Sequence, residues 1–107
     1  MTDVCSVVIT APDPEWLASF VEGLVSDRLC ASGHIVEQIR SIYRWQGDVH
    51  DATEGHVTLH TRPERVAEII ARTERDHPYE VPCVISTPIA DASPAYRAWI
   101  IEQTTTG

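Results

Sequence analysis

Five histidines, three cysteines and sixteen Asp and Glu residues carry the chemistry open to this 107-residue chain. His77 stands directly before Pro78, at the end of a stretch with helical spacing. The proline pushes the preceding residue out of helical backbone, and a cation is favoured at the negative end of a helix. Imidazole is a common ligand for Cu(II) and Zn(II). Two roles are therefore open to His77: a metal ligand, or a helix terminator that hydrogen-bonds nearby carbonyls. Tyr79, Glu80 and Pro82 follow it. Glu80 can offer a carboxylate oxygen beside His77, or serve a salt bridge or a subunit contact. His56 and His60 share a strand face, but four strand residues separate their Cα atoms by about 13 Å. His50 falls in a turn. Cys30 and His34 lie four apart near a break, a spacing that allows a nucleophilic pair but shows no third group to orient it.

Composition narrows the partners. Asp and Glu outnumber Arg by sixteen to eight, and Lys is absent, for a net charge of −8. That balance repels nucleic-acid backbones and anionic lipid and suits cations, so neither nucleic acid nor membrane is an expected partner. Cys5, Cys30 and Cys83 are odd in number, widely spaced and without a C-x-x-C pair, which signals neither a disulfide framework nor a zinc ribbon. The apolar run Val7-Val8-Ile9 is too short for a signal peptide or a membrane span. A reducing, cytoplasmic setting is the expectation. With 43% hydrophobic residues, the chain reads as one globular domain over residues 1–107.

The elements that must position these groups are organised around residues 34–61. They read as two long strands, His34–Gly47 and Ala52–Thr61, joined through residues 47–51. The first is rich in β-branched and aromatic residues. In the second, Val57 and Leu59 alternate with His56, Thr58 and His60. Strands this long exceed what a domain of this size covers with its own core, so the hairpin should overhang and pair with another chain. Ahead of it, Val4–Thr10 reads as a buried strand. Asp13 then caps a helix with Pro14 in its first turn, and Leu17, Phe20, Val21, Leu24 and Val25 form the inner face. That helix fades near Leu29, with Gly33 a break before the hairpin.

After the hairpin, Thr61 and Glu64 match a capping box for a second helix with Val66, Ile69 and Ile70 inside. Val81–Ile89 reads as a short edge strand limited by Pro82 and Pro88. Ser93-Pro94 opens a last helix that packs through Tyr96, Trp99 and Ile100, and residues 103–107 form a polar tail. The order βαββαβα describes an α+β, ferredoxin-like sandwich with a long central hairpin and an extra C-terminal helix.

Thr10-Ala11-Pro12-Asp13, Ser41-Ile42-Tyr43-Arg44-Trp45-Gln46-Gly47, Leu59-His60-Thr61-Arg62, His77-Pro78-Tyr79-Glu80-Val81-Pro82 and Pro94-Ala95-Tyr96 with Trp99 fall in the order and spacing of one family. On these stretches, which cover nearly the whole chain, the sequence resembles CutA, the divalent-cation tolerance proteins. The resemblance implies a ferredoxin-like subunit in a homotrimer whose hairpins interlock at sheet edges. It implies binding of divalent metal, Cu2+ especially and other cations such as zinc, a role in the response to metal ions, and no enzymatic activity. The resemblance points to His77 and Glu54, and with the neighbouring carboxylate and the displaced thiol the candidate metal residues are His77, Glu54, Glu80 and Cys30. Glu54 lies where the family has a glutamate, and in a trimer it could approach a neighbour's His77; taken alone it reads as a solvated strand carboxylate. Where the family has Leu-Ala-Ala-Cys this chain has Leu29-Cys30-Ala31-Ser32, so Cys30 sits two residues from the usual cysteine, on the same face if the strand runs there. Ile9 replaces another family cysteine, and His60 replaces a lysine. These departures weaken thiolate ligation of Cu(I) and raise imidazole capacity.

Other functions fit less well. A PII-like small-molecule-binding regulator, or a trimeric scaffold for other proteins, is the alternative, with Arg28, Arg44 and Arg62 as anion contacts. Acylphosphatases share the fold class but use an Asn, and this chain contains none. No nucleophile-elbow, phosphate-loop or zinc-protease spacing is present.

Overall fold

A computed structural model describes residues 3–105. The elements are β1 (Cys5–Ala11), α1 (Pro14–Ser26), β2 (Ser32–Trp45), β3 (Asp48–Thr61), α2 (Pro63–Asp76), β4 (Val84–Pro88) and α3 (Pro94–Gln103). All four strands form one antiparallel sheet in the order β2-β3-β1-β4. With α1 and α2 crossing over between strands, this is the ferredoxin-like sandwich that the element order predicts. No helix among the described residues is long and apolar enough to cross a membrane.

Alternation along β1 and β3 sets the layers. Val7, Ile9, Val57 and Leu59 are fully buried and meet Leu17, Val21, Leu24 and Ile69 from the helices. A smaller cluster of Val4, Ala31 and Ile100 seats α3. Asp13 caps α1 as expected, its carboxylate accepting from the Glu15 N–H at 2.9 Å. That helix ends earlier than the sequence suggests, at Ser26, in a Schellman turn. The Leu29 and Arg28 amides donate to the Leu24 and Val25 carbonyls, and Arg28 takes the left-handed position (φ 60°) where glycine is usual. Val25, expected inside, is exposed.

The hairpin is tighter than predicted. Its turn is Gln46-Gly47 alone, both at positive φ, so the second strand starts at Asp48 and not Ala52. Positive φ at both central residues is the primed turn that matches strand twist; Asn or Asp, not Gln, is its usual first residue. β3 pairs with β1 only through residues 55–61. Residues 39–45 and 48–54 therefore form a two-stranded ribbon beyond the sheet. The molecule is correspondingly long, 44 × 25 × 22 Å, with a radius of gyration of 14.4 Å where a compact chain of this length has about 13 Å.

A bulge between Val36 and Ile39 divides the hairpin. Below it Ser32 pairs with His60 and Val36 with His56; above it Ile39 pairs with Glu54. The extra residue changes which side chains of β2 face the helices.

Other assignments differ as well. Thr61 does not cap α2. It ends β3, and its buried hydroxyl donates to the Leu29 carbonyl at 2.6 Å, while Arg62 takes the cap position without a side-chain bond. Ser93 precedes α3 without a capping bond. β4 excludes Pro82 and lies at the sheet edge. The expected polar tail begins late, because Thr104 is fully buried and accepts from both Arg62 and Arg65. Thr106 and Gly107 lie outside the described residues.

Gly33 is no break. It is a strand residue pressed against α1, where an added Cβ would lie 2.5 Å from Val21 Cγ1 and 3.1 Å from Leu59 Cδ2. Gly33→Ala is expected to lower the stability read by urea unfolding by about 1–3 kcal/mol, with Val21→Ala recovering part of the loss. An unchanged midpoint would show that α1 is not clamped at this point.

Candidate functional site

α2 stops because Pro78 forces extended backbone on His77 (φ −69°, ψ 140°), whose amide still donates to the Thr73 carbonyl at 2.9 Å. The imidazole turns back into the protein and is buried. Its Nε2 lies 2.8 Å from the Thr10 carbonyl oxygen, and the Tyr79 amide lies 3.0 Å from Nδ1. A carbonyl only accepts and an amide N–H only donates, so both bonds together require the neutral tautomer protonated on Nε2. Trp16 covers the ring edge-on at 5.2 Å and itself stacks on Phe20. His77 thus ties the end of α2 and the segment after it to the end of β1. Within the subunit both ring nitrogens are committed.

The segment held in this way delivers Tyr79 to Glu54. Glu54 is only 5% exposed. Its Oε2 accepts from Tyr79 Oη at 3.4 Å, and among the described residues no Arg or His lies within ion-pair distance of it. A carboxylate taken out of water is costly unless paired, hydrogen-bonded or bound to metal. Burial, and next the Glu54 charge, push the Tyr79 hydroxyl above the usual phenol range. Beside them Tyr43, Trp45, Tyr79, Glu80 and Val81 line an open cavity of about 130 Å³. Glu80 is exposed at its rim.

Cys30 is elsewhere. Residues 30–31 adjoin the Cys5–Thr61 end of the β1–β3 pairing, through the Ala31 amide and the His60 carbonyl. Thr10 lies toward the other end, about 17 Å along β1 from Cys5, and Glu54 lies about 24 Å along β3 from Thr61. Burial pushes the Cys30 thiol up to about 12, so it keeps its proton. The structure therefore joins Glu54 to Tyr79, which lines the cavity with Glu80, sets His77 behind Tyr79, and leaves Cys30 apart. No group of three His, Cys, Asp or Glu placed to hold a metal occurs among the described residues of one subunit. No local pattern in the sequence announces the Thr10 and Trp16 contacts to His77, which arise only when β1, α1 and α2 converge.

Thiol chemistry checks the placement of the cysteines. In native protein at pH 8 an alkylating reagent should spare Cys5 and Cys30, both buried, and modify only the exposed Cys83. All three should react after unfolding. Native labelling of Cys30 at the rate of Cys83 would contradict the structure.

Residues 5–103 match the family described as CutA1 divalent ion tolerance protein. The chain is 36% identical to the divalent-cation tolerance protein CutA of Thermus thermophilus, across 92% of this chain and 95% of that one. It is 35% identical to the CutA homolog of Xenopus laevis across 86% of its length, and spans 61% of that longer relative. The solved structure of the divalent cation tolerance protein from Thermus thermophilus superposes with a TM-score of 0.91 at 34% identity, over 95% of this chain and 99% of that one. With the ferredoxin-like order, the long hairpin and a family match over almost the whole chain, the protein belongs to the CutA1 divalent ion tolerance family.

Proposed function

We propose that this protein is a homotrimer that binds divalent metal, copper(II) first and zinc(II) next, in cation tolerance. The observation that carries the reading is the Glu54 carboxylate, 5% exposed yet without a cationic partner among the described residues. A divalent cation neutralises such a group directly. Glu54 and Glu80 are the ligands of the proposed site; Tyr79 Oη is the neutral donor that the ion displaces from Glu54. His77 acts by position, holding residues 77–79 against β1. Cys30 takes no part, because its thiol is buried at the other end of the sheet. Oxygen donors suit a divalent ion better than Cu(I), and copper(II) leads the affinity order for a given N/O site. The net charge of −8 favours cation approach.

One subunit supplies too few donors, and the surface supports self-association. The ribbon of residues 39–54 has no third strand, and isolated two-stranded ribbons are marginal in water. Ile42, Val49, Val81 and Ile85 are each more than half exposed. In the proposed trimer these surfaces meet, and a neighbour supplies the remaining donors next to Glu54.

Light scattering should give three times the 11.9 kDa chain mass. Calorimetric titration with copper(II), in a Cys83→Ser background that removes the exposed thiol, should show micromolar binding. Glu54→Gln should weaken it at least tenfold while leaving the trimer intact, and Cys30→Ser should not change it. Binding that is indifferent to Glu54 would remove the proposed site.

A further inference from the structure

A second group of metal-ligating side chains lies six residues along β3 from Glu54, about 20 Å away at the far end of the strand. Ser32 pairs with His60, and His34 pairs with Thr58, so His34 and His60 are diagonal cross-strand neighbours. Their ring centres are 5.3 Å apart. Both residues alternate with Gly33 and Leu59, which face α1, and so they present to the opposite side. His34 is exposed and His60 half-buried.

We propose that His34 and His60 form a bis-imidazole site for a borderline divalent transition metal of the zinc(II) or cobalt(II) class, separate from the Glu54 site. The geometry fits. A zinc–imidazole bond of about 2.1 Å puts the metal about 3.2 Å from each ring centre, so centres 5.3 Å apart subtend about 110° at the ion, the tetrahedral angle. The rings now meet edge to face at 60°. His34 reaches the chelating orientation by turning about its terminal torsion, a soft rotation. That axis runs close to the ring centre, so the separation is kept.

His60 is the prepared partner. Its Nδ1 is 2.8 Å from Tyr96 Oη, which is 3.2 Å from Ser32 Oγ. With Nδ1 donating to Tyr96 and Tyr96 donating to Ser32, the Nε2 lone pair is left for metal. A hydrogen-bonded second nitrogen is the usual support of a histidine ligand. Burial, and next the neighbouring His34, lower the His60 pKa, which keeps the ring neutral and able to ligate at neutral pH. Two protein ligands leave two positions for water, so the ion exchanges readily.

Cobalt(II) is the probe, because tetrahedral coordination gives it an intense visible band. Full-length protein should bind cobalt with this band and broaden the His34 and His60 ring-proton resonances ahead of those of His77. His34→Gln and His60→Gln should each lower affinity at least tenfold, Tyr96→Phe by a smaller factor, and Glu54→Gln should leave the band in place. Loss of the band in Glu54→Gln alone, unchanged binding in both histidine variants, or wild-type broadening centred away from His34 and His60 would overturn the proposal. The resonance measurement needs no variant, so a substitution that fails to fold does not blunt the test.

Discussion

The register of β2 on β3 is the constraint on which the rest of the structure depends. Twelve residues of each fourteen-residue strand pair across a two-residue turn, and a one-residue slip would exchange the faces of every side chain. The bulge between Val36 and Ile39 makes such a change once, at a fixed place. Beneath it, Gly33 and Ile35 face the helices, and Ser32 and His34 face away. Above it, the ribbon runs free of β1 and places Tyr43 and Trp45 beside Tyr79. The approach of His34 to His60 follows from that single extra residue.

The second constraint is His77. Its two hydrogen bonds run to groups of opposite polarity, a carbonyl on β1 and an amide two residues ahead. They hold the exit of α2 against the sheet without help from charge. The segment so held carries Tyr79 to a buried carboxylate and Glu80 to the rim of a cavity. In this reading the histidine of the His-Pro-Tyr stretch organises the cleft, and the carboxylates carry its chemistry.

The fold was legible in the sequence because its signals are local and mutually consistent. Alternation in Val57–His60, Asp13-Pro14 ahead of α1 and Pro78 behind α2 each rest on neighbouring residues. What was hidden depends on distant ones. Thr61 satisfies a capping pattern, yet a carbonyl thirty-two residues earlier takes its hydroxyl. Gln46-Gly47 lacks the usual Asn or Asp of a primed turn, so the turn reads as longer than it is. Thr104 looks like tail until Arg62 and Arg65 reach it. The approach of His34 to His60 depends on a bulge that no residue type announces. Glu54 stood out only through family likeness; its burial comes from the packing of the segment after α2.

The most direct test of the central claim, that Glu54 is the anchor of the metal site, is anomalous diffraction at the copper edge from crystals of the intact assembly soaked in copper(II). The account predicts a copper peak in bonding contact with the Glu54 carboxylate of each subunit, with Tyr79 Oη displaced from it and both His77 hydrogen bonds intact. Copper found only elsewhere, with Tyr79 still bonded to Glu54, would contradict it.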